Sequence, residues 1–408
     1  MENIIRALRN GNTPEHGTSK ICVGRDPEIE EFNRQLEYVG EGNAVTKFVE
    51  GQYGTGKSFL LKVIEENALQ KDFVVSNIVI TTDLPFNKPE ELYKKVVQNL
   101  KSKSEDSFED IIKRWLTSLK RKSTGESTDL LEQNQIVKEY IKKELEEARK
   151  YANSFAVAIE NYYEASNRGD YDIINYTIAW LKGDLTIPSK YKKKFGVKGD
   201  VTRDMAFGFL KALTLFVRSI NYKGLVILID EAEFIRNIRR NDLRQMAYDN
   251  IRYIDEACDK RDFKGTMFLF AGTDEWFTDD RRGIPSYQAL YDRITDPLHS
   301  QGQYTDLKKK VIKLEGLTKE HMRELGKKIA EIHAHVYKWT VKDGINPILE
   351  EVLKIHERKA SLTGGKVTPR EFIKAFVGVL DIIYQNPYTI EKEDILGLFE
   401  EKVEEEEW

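Results

Sequence analysis

The sequence is poor in the residues that usually build metal, disulfide and nucleophile sites. It has two cysteines, Cys22 and Cys258, and six histidines in 408 residues. The cysteines show no paired spacing, which excludes a disulfide framework and a zinc site and fits a reducing compartment. His16, His299, His321, His333, His335 and His356 show no metal-ligand spacing, and no nucleophile–histidine arrangement is visible. No apolar run approaches the length of a membrane span. Met1–Asn10 lacks the apolar stretch of a signal peptide. A cytoplasmic protein without a membrane partner is expected. A strong excess of one charge is also missing: 64 Lys and Arg against 68 Asp and Glu leave a formal charge of −4. That balance argues against a globally basic nucleic-acid coat and leaves room only for local patches. No internal repeat is found.

What is present is a mixture of buried strands and charged helices. Hydrophobic residues make up 40% and charged residues 32% of the chain. Its length exceeds what one core usually holds, so two or three domains are expected. Residues 1–20 read as a short helix and a loop. Residues 25–39 read as a helix, with Ile29, Phe32, Leu36 and Val39 on one face. Strands are predicted at 44–50, 74–82, 225–230, 266–273 and 311–314. A helix follows the first strand from Lys57. From Asn87 to about Arg218 the pattern is helical, broken near 123–127 and 183–200. Helical patterning returns over 318–340 and 345–383, and the tail from Glu400 to Glu407 is acidic. Strands alternating with helices predict an α/β fold with a parallel sheet covered on both faces. The connection between the strands ending near Asp83 and starting at Leu225 far exceeds what a crossover needs, so much of it reads as a helical insertion. The expected domains are an α/β core from 1–84 and 201–317, an insertion from 85–200, and a C-terminal helical lid from 318–408.

Two motifs carry the chemistry. Gly51-Gln52-Tyr53-Gly54-Thr55-Gly56-Lys57-Ser58 matches G-x-x-x-x-G-K-[ST] between a predicted strand and a predicted helix, which is a phosphate-binding P-loop. Its glycines let consecutive N–H groups face phosphate oxygens, and the helix N-terminus that follows adds its dipole. Lys57 supplies a charge for the β- and γ-phosphates, Ser58 a hydroxyl for Mg²⁺, and Phe59 completes the nucleotide-contacting segment. The second motif is Gly224-Leu-Val-Ile-Leu-Ile-Asp230-Glu231. An apolar strand ending in two carboxylates places them at the edge where ligands of open α/β sheets bind. Asp230 is the expected Mg²⁺ ligand, and Glu231 the group that polarises the attacking water. The strand at 266–273 also ends in polar residues, and either Thr273 or Asp274 is a candidate to reach the γ-phosphate and the water. Arg293, in Ala289-Leu-Tyr-Asp-Arg293-Ile294, is a candidate arginine finger completing a neighbouring subunit's site. Arg370 follows Thr368 and Pro369, the expected cap and first residue of a helix, and is a candidate to swing onto the phosphates from the lid. Lys190-Tyr-Lys-Lys-Lys-Phe195 interleaves basic and aromatic residues as single-strand binders do. Arg236, Arg239, Arg240 and Arg244, read as one helix, form a second basic run.

Taken in order, Ile21-Cys-Val23-Gly24-Arg25-Asp26, the P-loop, the Asp-Glu strand, the polar strand tip, Arg293 and Gly364-Gly-Lys-Val-Thr-Pro-Arg370 resemble the Cdc6/Orc-like branch of AAA+ ATPases. The phrase from Gly364 to Phe372, followed by Phe-Val-Gly-Val-Leu-Asp381, most resembles the ATP-binding proteins of BREX phage-defence systems. The resemblance covers core and lid but not most of 85–200. It implies that Val23, Gly24 and Arg25 lie by the adenine and that the lid arginine senses the γ-phosphate. Many relatives carry Asn where this chain has Gly-Thr-Asp at the strand tip, so the sensor position stays open. ATP and Mg²⁺ are the expected ligands. The expected partners are further copies of the chain joined through the nucleotide sites, and DNA or a helicase or other defence-system protein. The rival readings are a slow regulatory ATPase that recruits a helicase or nuclease, and a STAND-type ATPase whose insertion senses a phage component.

Overall fold

Among the described residues, short runs of β-branched and aromatic residues form six strands: β1 (Ala44–Glu50), β2 (Val74–Val79), β3 (Leu100–Lys101), β4 (Leu225–Asp230), β5 (Thr266–Gly272) and β6 (Val311–Lys313). The computed structural model describes residues 1–81, 84–295, 306–340, 345–363 and 368–386. Thr82, Asp83, His299, the Gly364–Val367 phrase and the acidic tail lie outside the described residues. The sheet order is β3-β2-β4-β5-β1-β6. β2, β4, β5 and β1 run parallel to one another. All residues of β4 and β5 are buried, as strands covered on both faces require. Glu50 of β1 pairs with Gly272 of β5, and Ile229 of β4 with Phe270 of β5. The last residues of β1, β4 and β5 therefore reach one edge of the sheet, with β5 between the strand that leads into the P-loop and the strand that ends in Asp230.

Packing divides the chain into two units. The larger comprises Glu31–Glu50 and Asn67–Ile312. Its single apolar core runs from the strands through the helices between β2 and β4: Phe48, Ile227 and Phe270 belong to the same cluster as Trp115, Phe155 and Trp180. Phe155 meets Phe209 and Phe216 edge to face, and Trp115 meets Phe216 likewise. Such contacts add to area burial. Residues 85–200 thus share the core of the sheet. The smaller unit comprises Met1–Glu30, Gly51–Glu66 and Lys313–Trp408. Helix Glu2–Arg9 buries Ile4, Ile5 and Leu8 in a core with Val23, Ile329, Phe376 and Leu380. The helices Lys319–Tyr337, Ile345–Thr363 and Pro369–Gln385 supply the rest of its walls. Thr318 caps the first of these, and Thr368 with Pro369 starts the last, as side-chain capping and a proline in the first turn favour. Among the described residues no helix is long and apolar enough to cross a membrane.

Two details depart from the sequence reading. β3 lies inside a stretch read as almost only helical; it pairs antiparallel with Val75 and Ser76 of β2 and is too short to leave a periodic signal. The Arg236–Arg244 stretch is not one helix. A 3-10 turn covers Ala232–Asn237, Ile238 and Arg240 are extended, and a new helix runs over Asn241–Asp259.

Candidate nucleotide-binding site

The P-loop side lies within the smaller unit. Gly54 and Gly56 have φ of 82° and 96°, values that a side chain strains. A Cβ at Gly56 would meet nothing within 4 Å, so the backbone there is open to a phosphate. Lys57 is buried, and its Nζ donates to the carbonyls of Gly51 (2.8 Å) and Gln52 (3.2 Å), closing the loop on itself. Ser58 is exposed at the start of the helix Lys57–Gln70. Arg25 is buried and donates to the carbonyls of Thr55 (2.8 Å) and Glu315 (2.7 Å). Burial lowers its pKa while Glu28 pushes back. Arg25 thereby ties the Val23–Gly24–Arg25 segment to the middle of the P-loop. Thr55 is further held by its own hydroxyl, which donates to Gln52 O at 2.9 Å. From the lid helix Pro369–Gln385, Arg370 donates to the hydroxyl of Tyr53 at 3.2 Å. A Cβ on Gly54 would approach Thr368 Cγ2 to 3.0 Å. Val23, Gly24, Arg25, the P-loop and Arg370 are thus brought together within this unit, and the glycine cradle fits a polyphosphate.

The acidic side lies in the larger unit. Asp230 is buried at the end of β4 and accepts from the backbone N–H of Glu231 at 2.9 Å. Glu231 sits in the left-handed region, φ 54°. A non-glycine residue there stores strain, and such strain clusters at functional sites. Thr273 begins the short helix Asp274–Thr278, and its hydroxyl makes one long contact to Glu275, 3.4 Å. Asp274 Oδ1 is buried with no hydrogen-bond partner. Among the described residues no group of three His, Cys, Asp or Glu could hold a metal. One or two protein oxygens with phosphate and water is the usual Mg²⁺ arrangement, so the lack of such a group does not argue against Mg²⁺. Arg293 is placed elsewhere: it pairs with Asp255 (3.0 Å), which is fully buried, and with Asp259 (2.8 Å), and Lys310 shares both carboxylates.

The model of the family described as BREX system ATP-binding protein BrxC/D matches residues 1–397. The chain belongs to that family. No curated protein matches the sequence. Solved structures similar to this BrxC/BrxD family member include a DnaA domain and an ORC2 protein. Domain III of the replication initiation protein DnaA from Thermotoga maritima is 12% identical, with a TM-score of 0.39 over 95% of this chain and 97% of that one. The ORC2 protein of Aeropyrum pernix, solved in ADPNP-ADP complexes, is 13% identical, with a TM-score of 0.36 over 87% of this chain and 68% of that one.

The basic runs of this family member are largely used inside the chain. Lys192 pairs with Asp200, and Phe195 is fully buried. Tyr191 stacks on Tyr176 at 4.1 Å. Arg236 pairs with Asp279 and Glu275, and Arg244 is buried against Ile238 O and Asn241. Only Lys190, Lys193, Lys194 and Arg239 among the residues singled out are exposed with no such pair. Burial pushes the Cys22 thiol up to about 11 and the Cys258 thiol up to about 12, so neither is a nucleophilic thiolate at neutral pH. Two site-supporting residues escaped the sequence reading. Glu66, on the P-loop helix, accepts from the N–H groups of Thr18 and Ser19 and from the Ser19 hydroxyl. Burial opposes its charge, yet these donors hold its pKa below the usual carboxylate value. His321 packs so closely on Gly24 that a Cβ there would lie 2.4 Å from its Nδ1. The left-handed φ of Gly24, 60°, is a further reason for glycine at that position. The only sequence signal for either was Gly24 itself.

Proposed function

We propose that the protein is an ATP-hydrolysing switch or motor of bacterial phage defence that assembles through its nucleotide sites and acts with a DNA-processing partner. The observation that carries this reading is the pair of motifs in their strand context. β1 runs directly into a P-loop with left-handed glycines, and β4 ends in Asp230 and a strained Glu231 at the same sheet edge. The loop amides and Lys57 would bind the phosphates, and Ser58 and Asp230 would each offer an oxygen to Mg²⁺. Bound Mg·ATP supplies the anhydride to be cleaved and the metal charge that polarises it. Glu231 takes the proton of the attacking water. The orphaned Oδ1 of Asp274 favours Asp274 over Thr273 as the residue that orients that water. Val23, Gly24 and Arg25 flank the base, and Arg370 reads the γ-phosphate.

The test uses two variants. Lys57→Ala is expected to abolish tight Mg·ATP binding in calorimetry. Glu231→Gln is expected to bind ATP normally and to turn over slower by roughly 10²–10⁴, the contribution of a positioned general base. Unchanged affinity in the first or wild-type turnover in the second sinks the assignment.

A second reading, a slow regulatory ATPase that recruits a helicase or nuclease, is favoured by one observation. Of the basic residues expected to face DNA, Lys192, Arg236 and Arg244 are taken up by contacts inside the chain. A turnover rate unchanged by added DNA supports recruitment, and a DNA-stimulated rate supports direct action.

A further inference from the structure

We propose that Arg9 and Asp381 form a positioning pair that holds the lid arginine Arg370 against the phosphate-binding loop, making the first helix a working part of the γ-phosphate sensor. The inference rests on the sensor role given to Arg370 above. Arg9 grips Asp381 with a two-pronged contact, Nε to Oδ2 at 2.6 Å and Nη2 to Oδ1 at 2.7 Å. Such fork-to-carboxylate pairs fix direction as well as distance. Arg9 Nη2 also donates to the Tyr337 hydroxyl at 2.9 Å. Asp381 Oδ1 meets His333 Nε2 at 3.0 Å. Trp339 Nε1 donates to His333 Nδ1 at 2.9 Å, so the imidazole must carry its proton on Nε2 and donate it to Asp381. His333 is wholly buried. This network joins Glu2–Arg9, Lys319–Tyr337 and Pro369–Gln385 at one carboxylate.

Asp381 and Arg370 stand on the same helix, eleven residues and therefore about 16 Å apart along its axis. That helix is a rigid lever between them. At its other end, Arg370 passes beside Gly11, where a Cβ would lie 3.3 Å from Nε and 3.4 Å from Cγ. Gly11 has φ 69°, so the chain turns there with no side chain in the arginine's path. Beyond Gly11 the guanidinium reaches Tyr53 of the P-loop. A three-residue stretch, Arg9 to Gly11, thus holds the lid helix near both ends. Arg9 fixes the helix through Asp381, and Gly11 leaves the channel that aims Arg370. Asp381 closes the lid phrase noted in the sequence, and this contact gives it a role.

The experiment measures ATP and ADP affinities by calorimetry for the full chain carrying Arg9→Ala, Arg9→Lys, Asp381→Asn, Arg370→Ala and the double variant Arg9→Ala/Arg370→Ala. Thermal melts without nucleotide accompany each. The expected result is a roughly tenfold loss for ATP, the scale of one charge-assisted hydrogen bond, with ADP affinity unchanged. Arg9→Lys keeps the charge, loses the fork, and should fall between. The double variant should be no weaker than Arg370→Ala alone, because both changes disable one device. Equal losses for ATP and ADP, or additive losses in the double variant, overturn the proposal. If Arg370→Ala leaves the ATP-to-ADP ratio unchanged, the sensor role falls and the positioning pair falls with it. A wild-type ratio in the Arg9 variants alone removes only the pair. Should Arg9→Ala or Asp381→Asn fail to fold, Arg9→Lys and Tyr337→Phe carry the same comparison.

Discussion

Glu231 is where a single residue departs most from what its type prefers. The motif announced its carboxylate, but no sequence pattern announces a φ of 54°. The same holds across the site. Lys57, Ser58, Asp230 and Glu231 were legible because phosphate and magnesium chemistry demands those side chains at fixed spacings. Glu66 holding Thr18 and Ser19 was not, nor was Arg9 on Asp381, because such partners are set by packing between segments far apart in the chain. Gly54 offers a residue-scale test. A methyl group there meets both an unfavourable φ of 82° and Thr368 at 3.0 Å. Gly54→Ala should lose about 1–2 kcal/mol of stability from the left-handed strain alone. It should also weaken ATP binding, since lid helix and loop must separate to admit the methyl. A variant with wild-type melting and titration curves would show that the loop relaxes freely. Arg25→Ala tests the other side of the loop. Losing charged donors to Thr55 O and Glu315 O should weaken nucleotide binding by about 1.5–3 kcal/mol, the usual worth of such bonds, read directly as a change in Kd.

At the scale of elements, strands and helices were read well where an apolar period runs for two turns or five residues. They were read poorly at a two-residue strand and across the Arg236–Arg244 break, where local backbone geometry decides. The lid carries a pH dependence of its own. His333 is held neutral: burial lowers its pKa below the usual 6.5, and Asp381 only partly restores it. For Asp381 burial raises the pKa, but Arg9 and His333 outweigh it and bring the value below 3.8. The unfolded chain takes up the His333 proton first as pH falls below about 6.5, so stability rises with pH through that range and is lost on acidification. Asp381 adds a further loss only below its ordinary value. Melting temperature should therefore drop between pH 7 and pH 5.5 more in the wild type than in His333→Gln, with Arg9, Tyr337 and Trp339 unchanged around the site. Parallel pH curves for the two proteins would refute the assignment.

At the scale of the whole molecule, the proposed function turns on assembly and charge. Glu231→Gln with ATP should sediment as a larger species than the same protein with ADP, if nucleotide joins the subunits. A single species under both conditions removes the assembly reading. Arg293 is expected to serve the fold. Arg293→Ala leaves the buried Asp255 with Lys310 as its remaining cation and should cost about 2 kcal/mol, less than the ~3–5 of a fully orphaned buried charge. Turnover restored on mixing Arg293→Ala with Lys57→Ala would show instead that this guanidinium completes a neighbour's site.

The order of segments along the chain sets an order of events during synthesis. The segments proposed to grip nucleotide, in 1–30 and 51–66, are translated well before their apolar partners in 313–380. Ile4, Ile5 and Leu8 have no core to enter until Phe376 and Leu380 arrive. The larger unit, which ends at Ile312, is free to fold before then, as domains made earlier generally do. A nascent chain halted near residue 312 should thus protect β4 and β5 from protease while retaining no ATP. On this order the proposed grip on nucleotide forms only after the sheet, and chains lacking 313–380 are expected not to hold ATP.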